Sequence, residues 1–510
     1  MNAADGPVTS HREGEFEAAA GSTEYCDLLI IDDVLPCDFS PFRNLEYSHY
    51  LKHFDSSLLL STEGWHGAYS NHSFAGQLAA SSLAESVKQK VRPFAAFPSI
   101  VPKLAYITFL NNAWQMYPYL VDRNIPFVLQ LYPGGGFEIG SEECDRRLRT
   151  LAKSALCRKI VVTQNLSRNY LLDHIGCDPL KLEFVYGGVY DTNTGFDFSR
   201  DKKIYRRDKP TLDICFVAHR YGDDVTKKGS DQFIDIAKAL TREFDDVRFH
   251  VVGDYTPDQI PLGNAAERIE FHGKQPGEFF REFYPAMDII LSINRQSADG
   301  AGTFDGFPTG ACMEAGFRGM LNCISDPLDM NVAFIDGVDV MLADLDTPKT
   351  VGRLTSMLRD TDRLYTIARA NWFKFIQVFD TNQQLWDRTR VVTGELLQHD
   401  ALIVRPPARM SSMDRSMLPE HKELLRQTKA NLDDAVVRHD NLLDEYLKLA
   451  AGFDQLKEEN VRLAAVVHEP LVEPTPSGRA ERVLLRAIRS RYSMQIRSLT
   501  ARLLRRTNKL

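Results

Sequence analysis

Residues 212–254 read LDICFVAHRYGDDVTKKGSDQFIDIAKALTREFDDVRFHVVGD, and this stretch decides the fold. LDICFVA (212–218) is a short, nearly continuous apolar run, the mark of a strand covered on both faces. Residues 230–243 carry a helical pattern, and RFHVVG (248–253) is a second strand. Strand, helix and strand in this order make a unit of a parallel sheet.

The alternation extends outward in both directions. After it come IEFHG (269–273), a helix at 277–286, DIILSI (288–293), a helix at 308–318, MLNCI (320–324) and VDVML (338–342). Helical patterns near 347–359 and 362–378 finish the series. Before it, CDLLIID (26–32), SSLLLS (56–61), LAYITFL (104–110), IPFVLQLY (125–132), KIVVTQ (159–164) and LEFVYGG (182–188) are strands. They are separated by helical patterns at 42–54, 75–91, 112–122, 142–155 and 167–175. The polar DFSRDKKIYRRDKP (197–210) reads as a linker. The expected fold class is α/β, with two Rossmann-like doubly wound domains at 25–200 and 201–398. In such sheets ligands lie beyond the carboxyl ends of the strands.

The flanks differ in composition. Residues 1–24 are polar, lack the apolar core of a signal peptide, and read as a flexible tail. A linker is expected at 399–419. Leu425, Leu432, His439, Tyr446, Phe453 and Asn460, with Ala435, Leu442, Leu449, Leu456 and Leu463, repeat every seven residues. That predicts a coiled coil over 420–468 and a homodimer through it; a single helix packed on the body is the alternative. A Pro-rich break at 469–478 precedes 479–510, where ten Lys/Arg face one acid, Glu481. The apolar spacing there predicts a basic amphipathic helix for an anionic membrane surface or an acidic partner, against a plain solvated helix.

The 510 residues are 44% hydrophobic and 25% charged with a net charge of −8, which gives no bias toward nucleic acid. Eight scattered cysteines form no CxxC pair, which points to a reducing compartment. The longest apolar candidate, FAAFPSIVPKLAYITFL (94–110), is broken by Pro98, Pro102 and Lys103, too short for a membrane span. The expectation is a cytoplasmic protein, with peripheral attachment to the cytoplasmic face of a membrane through the basic helix.

Chemistry concentrates in the second half. Arg220 stands at the end of the strand LDICFVA, and Lys228-Gly229 at the start of the next helix. Two fixed cations there suit a diphosphate. In GTFDGFPTGACMEAGFRG, residues Gly306, Phe307, Pro308, Thr309 and Gly310 form a loop-to-helix junction. Pro308 suits a first helical turn, with the free N–H groups of 309–311 facing an anion. Glu314 follows within that helix, placed for sugar or ribose hydroxyls. Its bland role is an ion pair with Arg318. There is no GxxxxGK[ST], GxSxG or HExxH, and the thirteen histidines show no metal-ligand spacing.

These pieces together resemble a GT-B glycosyltransferase of the family 4 type. The features are FVAHR…KKGSDQFIDIAKAL, RFHVVGD, RIEFHGKQP, EFFREFYPAMDIILSIN, DGFPTGACMEAGFRG and DGVDVMLADLD, in the family's order. KIVVTQNLSRNYLL and KLEFVYGGVYD resemble the end of the family's first domain. The resemblance implies that Arg220 and Lys228 hold the diphosphate of a nucleotide-sugar donor and that Glu314 binds its ribose. It implies transfer to an acceptor hydroxyl on a glycan, lipid-linked or other acceptor, with retention and without a metal or other cofactor. It also implies a helical segment at 372–395 crossing back to the first domain.

Three departures stand out. Asp305 lies nine positions before Glu314, where the family has a glutamate eight before. YPGGGFE (132–138) replaces the family's histidine, so Gly134, Gly135 and Gly136 bring backbone near the donor sugar with Glu138 beside them. LPCDFSPFRNLE (35–46) lacks the usual glycine pair and offers Arg43 or Glu46 to the acceptor instead. A GT-B isomerase or hydrolase, and a non-catalytic coiled-coil assembly protein, are the competing readings.

Overall fold

The computed structural model describes residues 23–36, 40–62, 73–219, 226–295 and 302–402. The chain divides at Val404 into two units, and every described residue belongs to the first. Arg220, the tail to residue 22, the coiled coil, the Pro-rich break and the basic helix therefore lie outside the described residues.

The first lobe contributes β1 (Glu24–Asp32), β2 (Ser57–Ser61), β3 (Val91–Pro93), β4 (Ile100–Thr108), β5 (Phe127–Leu131), β6 (Glu138–Ile139), β7 (Cys157–Val162) and β8 (Leu182–Phe184). Seven of them form one sheet in the order β3-β2-β1-β4-β5-β7-β8. Its pairings are all parallel. The second lobe adds β9 (Leu212–Val217), β10 (Val247–Val252), β11 (Ile269–Gly273), β12 (Ile289–Ser292), β13 (Gly302–Thr303), β14 (Leu321–Ser325) and β15 (Met341–Ala343). Its six-stranded parallel sheet runs β11-β10-β9-β12-β14-β15. Both sheets start in the middle, run to one edge, and return to build the other half. Each has its switch point where the order reverses, at β1/β4 and at β9/β12.

The apolar runs explain the layers. Leu28 to Ile31 of β1 are fully buried, as are Leu59 and Leu60 of β2, because helices cover both faces. One buried cluster spans the lobes, joining Leu129 and Phe137 of the first to Phe304, Phe307 and Cys312 of the second. β6 and β13 pair antiparallel, Ile139 with Gly302 and Glu138 with Thr303, so a two-residue ladder also ties lobe to lobe.

Some sequence expectations change. The helix expected over 75–91 is two short pieces, Phe74–Ala80 and Glu85–Lys88, followed by β3. The polar 197–210 is no loose linker. It forms the short helix Phe198–Asp201, buries Lys202 completely against the Met287 carbonyl, and ties Lys209 to Asp213 and Asp288 at 2.7 and 2.6 Å. Burial pushes Lys202 down to about 7, and Asp288 only partly opposes this. The helix Thr361–Val378 is followed by Thr381–Leu402, which runs past the expected boundary at 398. That last helix packs on β4 and β7 of the first lobe, so the crossing is present. Among the described residues, no helix is long and apolar enough to cross a membrane.

Candidate functional site

The two switch points face a shared cleft of about 670 Å³. Its first-lobe wall is built from the end of β1 (Asp33, Val34), the start of the helix after β4 (Phe109, Asn111, Asn112) and Gly134-Gly135. Its second-lobe wall is built from Lys227 and Lys228, Asn294 and Arg295 after β12, the loop 303–309, and Ser325 at the end of β14. Strand ends of both sheets thus supply the polar groups.

The cations are held in place. Lys228 Nζ bonds the Asp305 carboxylate, with both side chains mostly buried. Arg295 reaches Asp231 at 2.7 Å and Gln232 at 3.2 Å. Lys227 donates to Thr303 Oγ1 at 2.7 Å. Across the cleft, Arg43 bonds Asp32 at 2.8 Å and Asp33 at 2.6 Å, with its guanidinium 4.6 Å from the Phe109 ring centre. Burial alone would lower the Arg43 pKa, but the two carboxylates and Tyr47 raise it, so the charge is kept. Phe109 pays for its place with a φ of +73°, a strained backbone for a bulky residue.

The glycines are set by geometry. Gly135 and Gly136 have φ of +55° and +89°. A Cβ on Gly135 would lie 2.3 Å from the Phe109 ring, and one on Gly136 only 1.9 Å from Asn111 Oδ1. The triple glycine thus lets the loop pack down on the first residues of the helix Leu110–Asp122. Gly229 has φ +79°, and a Cβ there would meet the Ile293 carbonyl at 2.1 Å, so it fixes Lys228 beside the end of β12.

Of the residues picked from sequence, Lys228, Asp305, Gly306, Phe307, Thr309, Gly135 and Arg43 all line this one cleft. Others fall elsewhere. Glu46 is 1% exposed and accepts from the hydroxyls of Tyr50 at 3.0 Å, Tyr106, and Tyr132 at 3.3 Å, with Arg388 of the crossing helix 3.9 Å away. It therefore anchors that helix and does not face an acceptor. Pro308 precedes the helix Gly310–Gly316 instead of starting it; Thr309 is the cap, its hydroxyl accepting from Cys312 N. Gly310 packs under the Tyr190 hydroxyl, and Gly136 under Asn111. Glu138 belongs to the interlobe ladder. Glu314 is half-buried and does not line the cleft; burial raises its pKa and Arg318 partly lowers it, and its charge is felt by Tyr190 and Tyr284.

Sequence reasoning passed over Arg295, Asn111 and Gln164. Arg295 stands two residues past DIILSI, at the switch strand's carboxyl end, and the strand-end rule would have found it. The same rule reaches Gln164. It lies at the end of the KIVVTQ run and accepts from Phe307 N at 3.3 Å, pinning the 304–309 loop to the first lobe.

Solved structures share this fold. HepE of Anabaena, determined with UDP and with UDP-glucose, superposes with a TM-score of 0.52 and 0.51 at 14% identity, covering 72% of this chain and 99–100% of its own. The chain has the GT-B fold. A glycosyltransferase of Rickettsia africae (TM-score 0.50, 15% identity, 73% of this chain, 99% of its own) shares that GT-B fold. So does sucrose-phosphate synthase of Thermosynechococcus elongatus (0.52, 13%, 72% and 98%). No family model and no curated protein matches the sequence. In GT-B terms, the cleft is the space between the two facing sheets, and its cations stand mainly on the second lobe.

Proposed function

We propose that the chain transfers a glycosyl group from a nucleotide-diphosphate sugar to an acceptor hydroxyl. The observation that carries this reading is the interlobe cleft in which Lys227, Lys228 and Arg295 stand opposite Arg43 and Asn111. Breaking the bond at the anomeric carbon leaves positive charge on the sugar and negative charge on the departing diphosphate. Lys228 and Arg295 stabilise that diphosphate in a cleft with little water; Arg220, which lies outside the described residues, is given the same role by the resemblance of its motif. These cations take the part a metal plays elsewhere, so the transfer is metal-independent. The outcome at the anomeric carbon is retention, with the leaving diphosphate oxygen receiving the acceptor proton. Glu314 contributes through the helix Gly310–Gly316, which carries Thr309 at its start, and binds the donor ribose once the donor is seated.

The solved proteins with UDP and UDP-glucose support a nucleotide-sugar donor, and the cations Lys227, Lys228 and Arg295 on the second lobe support seating its diphosphate there. The acceptor, a glycan or lipid-linked hydroxyl, enters along Asp33, Arg43 and Phe109. The seven cysteines among the described residues are free and buried, which supports a reducing, cytoplasmic setting. Surface-glycan assembly at the cytoplasmic face of a membrane, as a dimer joined by 420–468 and attached by 479–510, fits the heptads and the basic end.

A calorimetric screen of UDP-, GDP- and ADP-sugars on the full chain tests this. One donor class is expected to bind and to turn over only with an acceptor present. Product without acceptor would reassign the chain as a hydrolase or isomerase. If no nucleotide sugar binds, the body is a non-catalytic scaffold.

A further inference from the structure

The edge of the second sheet carries a group of side chains that the cleft chemistry does not use. His250 lies on β10, and Glu270 and His272 on the neighbouring edge strand β11. Two-residue spacing puts Glu270 and His272 on one face of their strand, and the parallel register sets Glu270 beside His250. The three side chains offer ligand atoms within 4.8 Å of one another. Neither histidine nor Glu270 lines the cleft.

The hydrogen bonds fix how the rings face. Asp213, ion-paired with Lys209 at 2.7 Å, can only accept, so His250 Nε2, 3.0 Å away, must donate to it. That leaves the His250 Nδ1 lone pair pointing at His272 Nε2, 3.1 Å distant. Glu270 stands 3.8 Å from His250 Nδ1 and 3.6 Å from His272 Nδ1. A proton on His272 Nδ1, toward Glu270, turns the His272 Nε2 lone pair toward His250 as well. The other tautomer, with the proton on His272 Nε2, closes the 3.1 Å contact as an N–H···N hydrogen bond, which an ion displaces by drawing both lone pairs to itself. Tetrahedral zinc with Zn–N bonds of ~2.0–2.1 Å holds adjacent ligand atoms about 3.3 Å apart. Phe279 and Phe283 pack against the rings on the inner side, while Glu270 is two-thirds exposed, so an entering ion keeps a path to solvent.

We propose that His250, His272 and Glu270 form a structural site for one borderline-soft divalent cation of the zinc class, with water as a fourth ligand and Asp213 orienting His250 from behind. Two imidazoles and one carboxylate select zinc, nickel or copper over magnesium and calcium. A carboxylate behind a ligating histidine is the usual support for such a site. The ion joins the edge strand β11 to β10 and thereby stiffens the rim of the second lobe.

The test is calorimetric titration of ZnCl2 into the chelator-treated full chain, with MgCl2 as control. Saturable one-to-one zinc binding and a rise in thermal midpoint with zinc are expected, with no heat from magnesium. Glu270→Gln, at an exposed position that leaves the fold intact, should weaken binding at least ~10-fold. His272→Gln should abolish it. Nucleotide-sugar binding should be unchanged in Glu270→Gln, which separates this result from the cleft assignment. No zinc binding by the wild-type chain, or wild-type affinity in Glu270→Gln, overturns the proposal.

Discussion

Replacing Lys228 and Asp305 singly and together probes the cleft most directly. In the free protein the Lys228 ammonium is held by Asp305, with side-chain exposures of 16% and 35%. Unit charges 4 Å apart interact by about 4 kcal/mol at an effective dielectric of ~20. Solvent reaches both groups, so the Lys228 contribution to diphosphate binding is discounted to about 1–2 kcal/mol. In the transition state the leaving charge is fully developed and the cleft is drier, and a loss of about 3 kcal/mol, or ~100-fold in kcat/KM, is expected for Lys228→Ala. Asp305→Asn should act with the opposite sign on the diphosphate. It takes the opposing charge from the ammonium and should tighten nucleoside-diphosphate binding by up to ~10-fold, about 1.4 kcal/mol. The double variant should lie closer to Lys228→Ala than the sum of the singles predicts, with a coupling of about 0.5–3 kcal/mol.

The assay is calorimetry with the nucleoside diphosphate and its sugar, at low and high salt, followed by steady-state kinetics. If Asp305 holds the sugar instead, Asp305→Asn will weaken nucleotide-sugar binding and leave the bare diphosphate unchanged. Lys228→Ala binding the diphosphate within twofold of wild type at low salt would refute the charge argument.

Glu46→Ala leaves Arg388, which is 0% exposed, without its carboxylate, and should cost about 3–5 kcal/mol in urea denaturation. An unchanged midpoint with lost activity would return Glu46 to an acceptor role. Gly136→Ala combines a left-handed φ, worth about 1–2 kcal/mol, with a contact on Asn111; thermal melts should show the loss, and full stability would contradict the loop geometry. Burial raises the Glu314 pKa in the folded chain, so the fold binds that proton longer than the unfolded chain does. Stability should therefore fall as pH rises from about 4.3, the unfolded value, through the raised folded one. Glu314→Gln should remove that slope, measured as urea midpoints across this window; an identical slope in the variant would show that Glu314 is not desolvated.

The double alternation of strands and helices was legible because its period is local. Each apolar run such as LDICFVA needs burial on both faces, and only a covered parallel sheet supplies that. Lys228, Asp305, Thr309 and Gly135 were legible for a related reason, since loops after such strands must converge on a switch point. What the sequence hid depends on tertiary context. Glu46 sits on a helix directly after the first loop, so its position suggested the cleft. Its orientation is decided by Tyr50, Tyr106, Tyr132 and Arg388, the last more than three hundred residues away. The 197–210 segment looked like a linker because Lys202 and Lys209 are charged, yet their partners Met287, Asp213 and Asp288 lie on strands and loops further along. His250 and His272 show no ligand spacing in the sequence because their closeness is a matter of strand pairing.

The ties between the lobes bear on how the cleft works. The crossing helix is bound by buried groups: Arg388 donates to the Gly187 carbonyl at 2.8 Å, and Thr192 and Thr381 bond each other through backbone and side chain. The front of the cleft is held by the two-residue β6–β13 ladder, the buried bond from Phe307 N to Gln164, the bond from Asn165 Nδ2 to the Asp329 carbonyl at 3.0 Å, and the packing of Phe304 and Phe307 against the first lobe. A hydrogen bond contributes only about 0.5–1.5 kcal/mol net, but parting buried groups, at the front as at the back, leaves polar atoms unpaired and apolar surface exposed. Parting the lobes at the front would separate the loop 303–309 from Pro133 and Gln164. Asp305 and Lys228 both stand on the second lobe, so their ion pair survives a separation of the lobes and is parted only when a diphosphate competes for the ammonium.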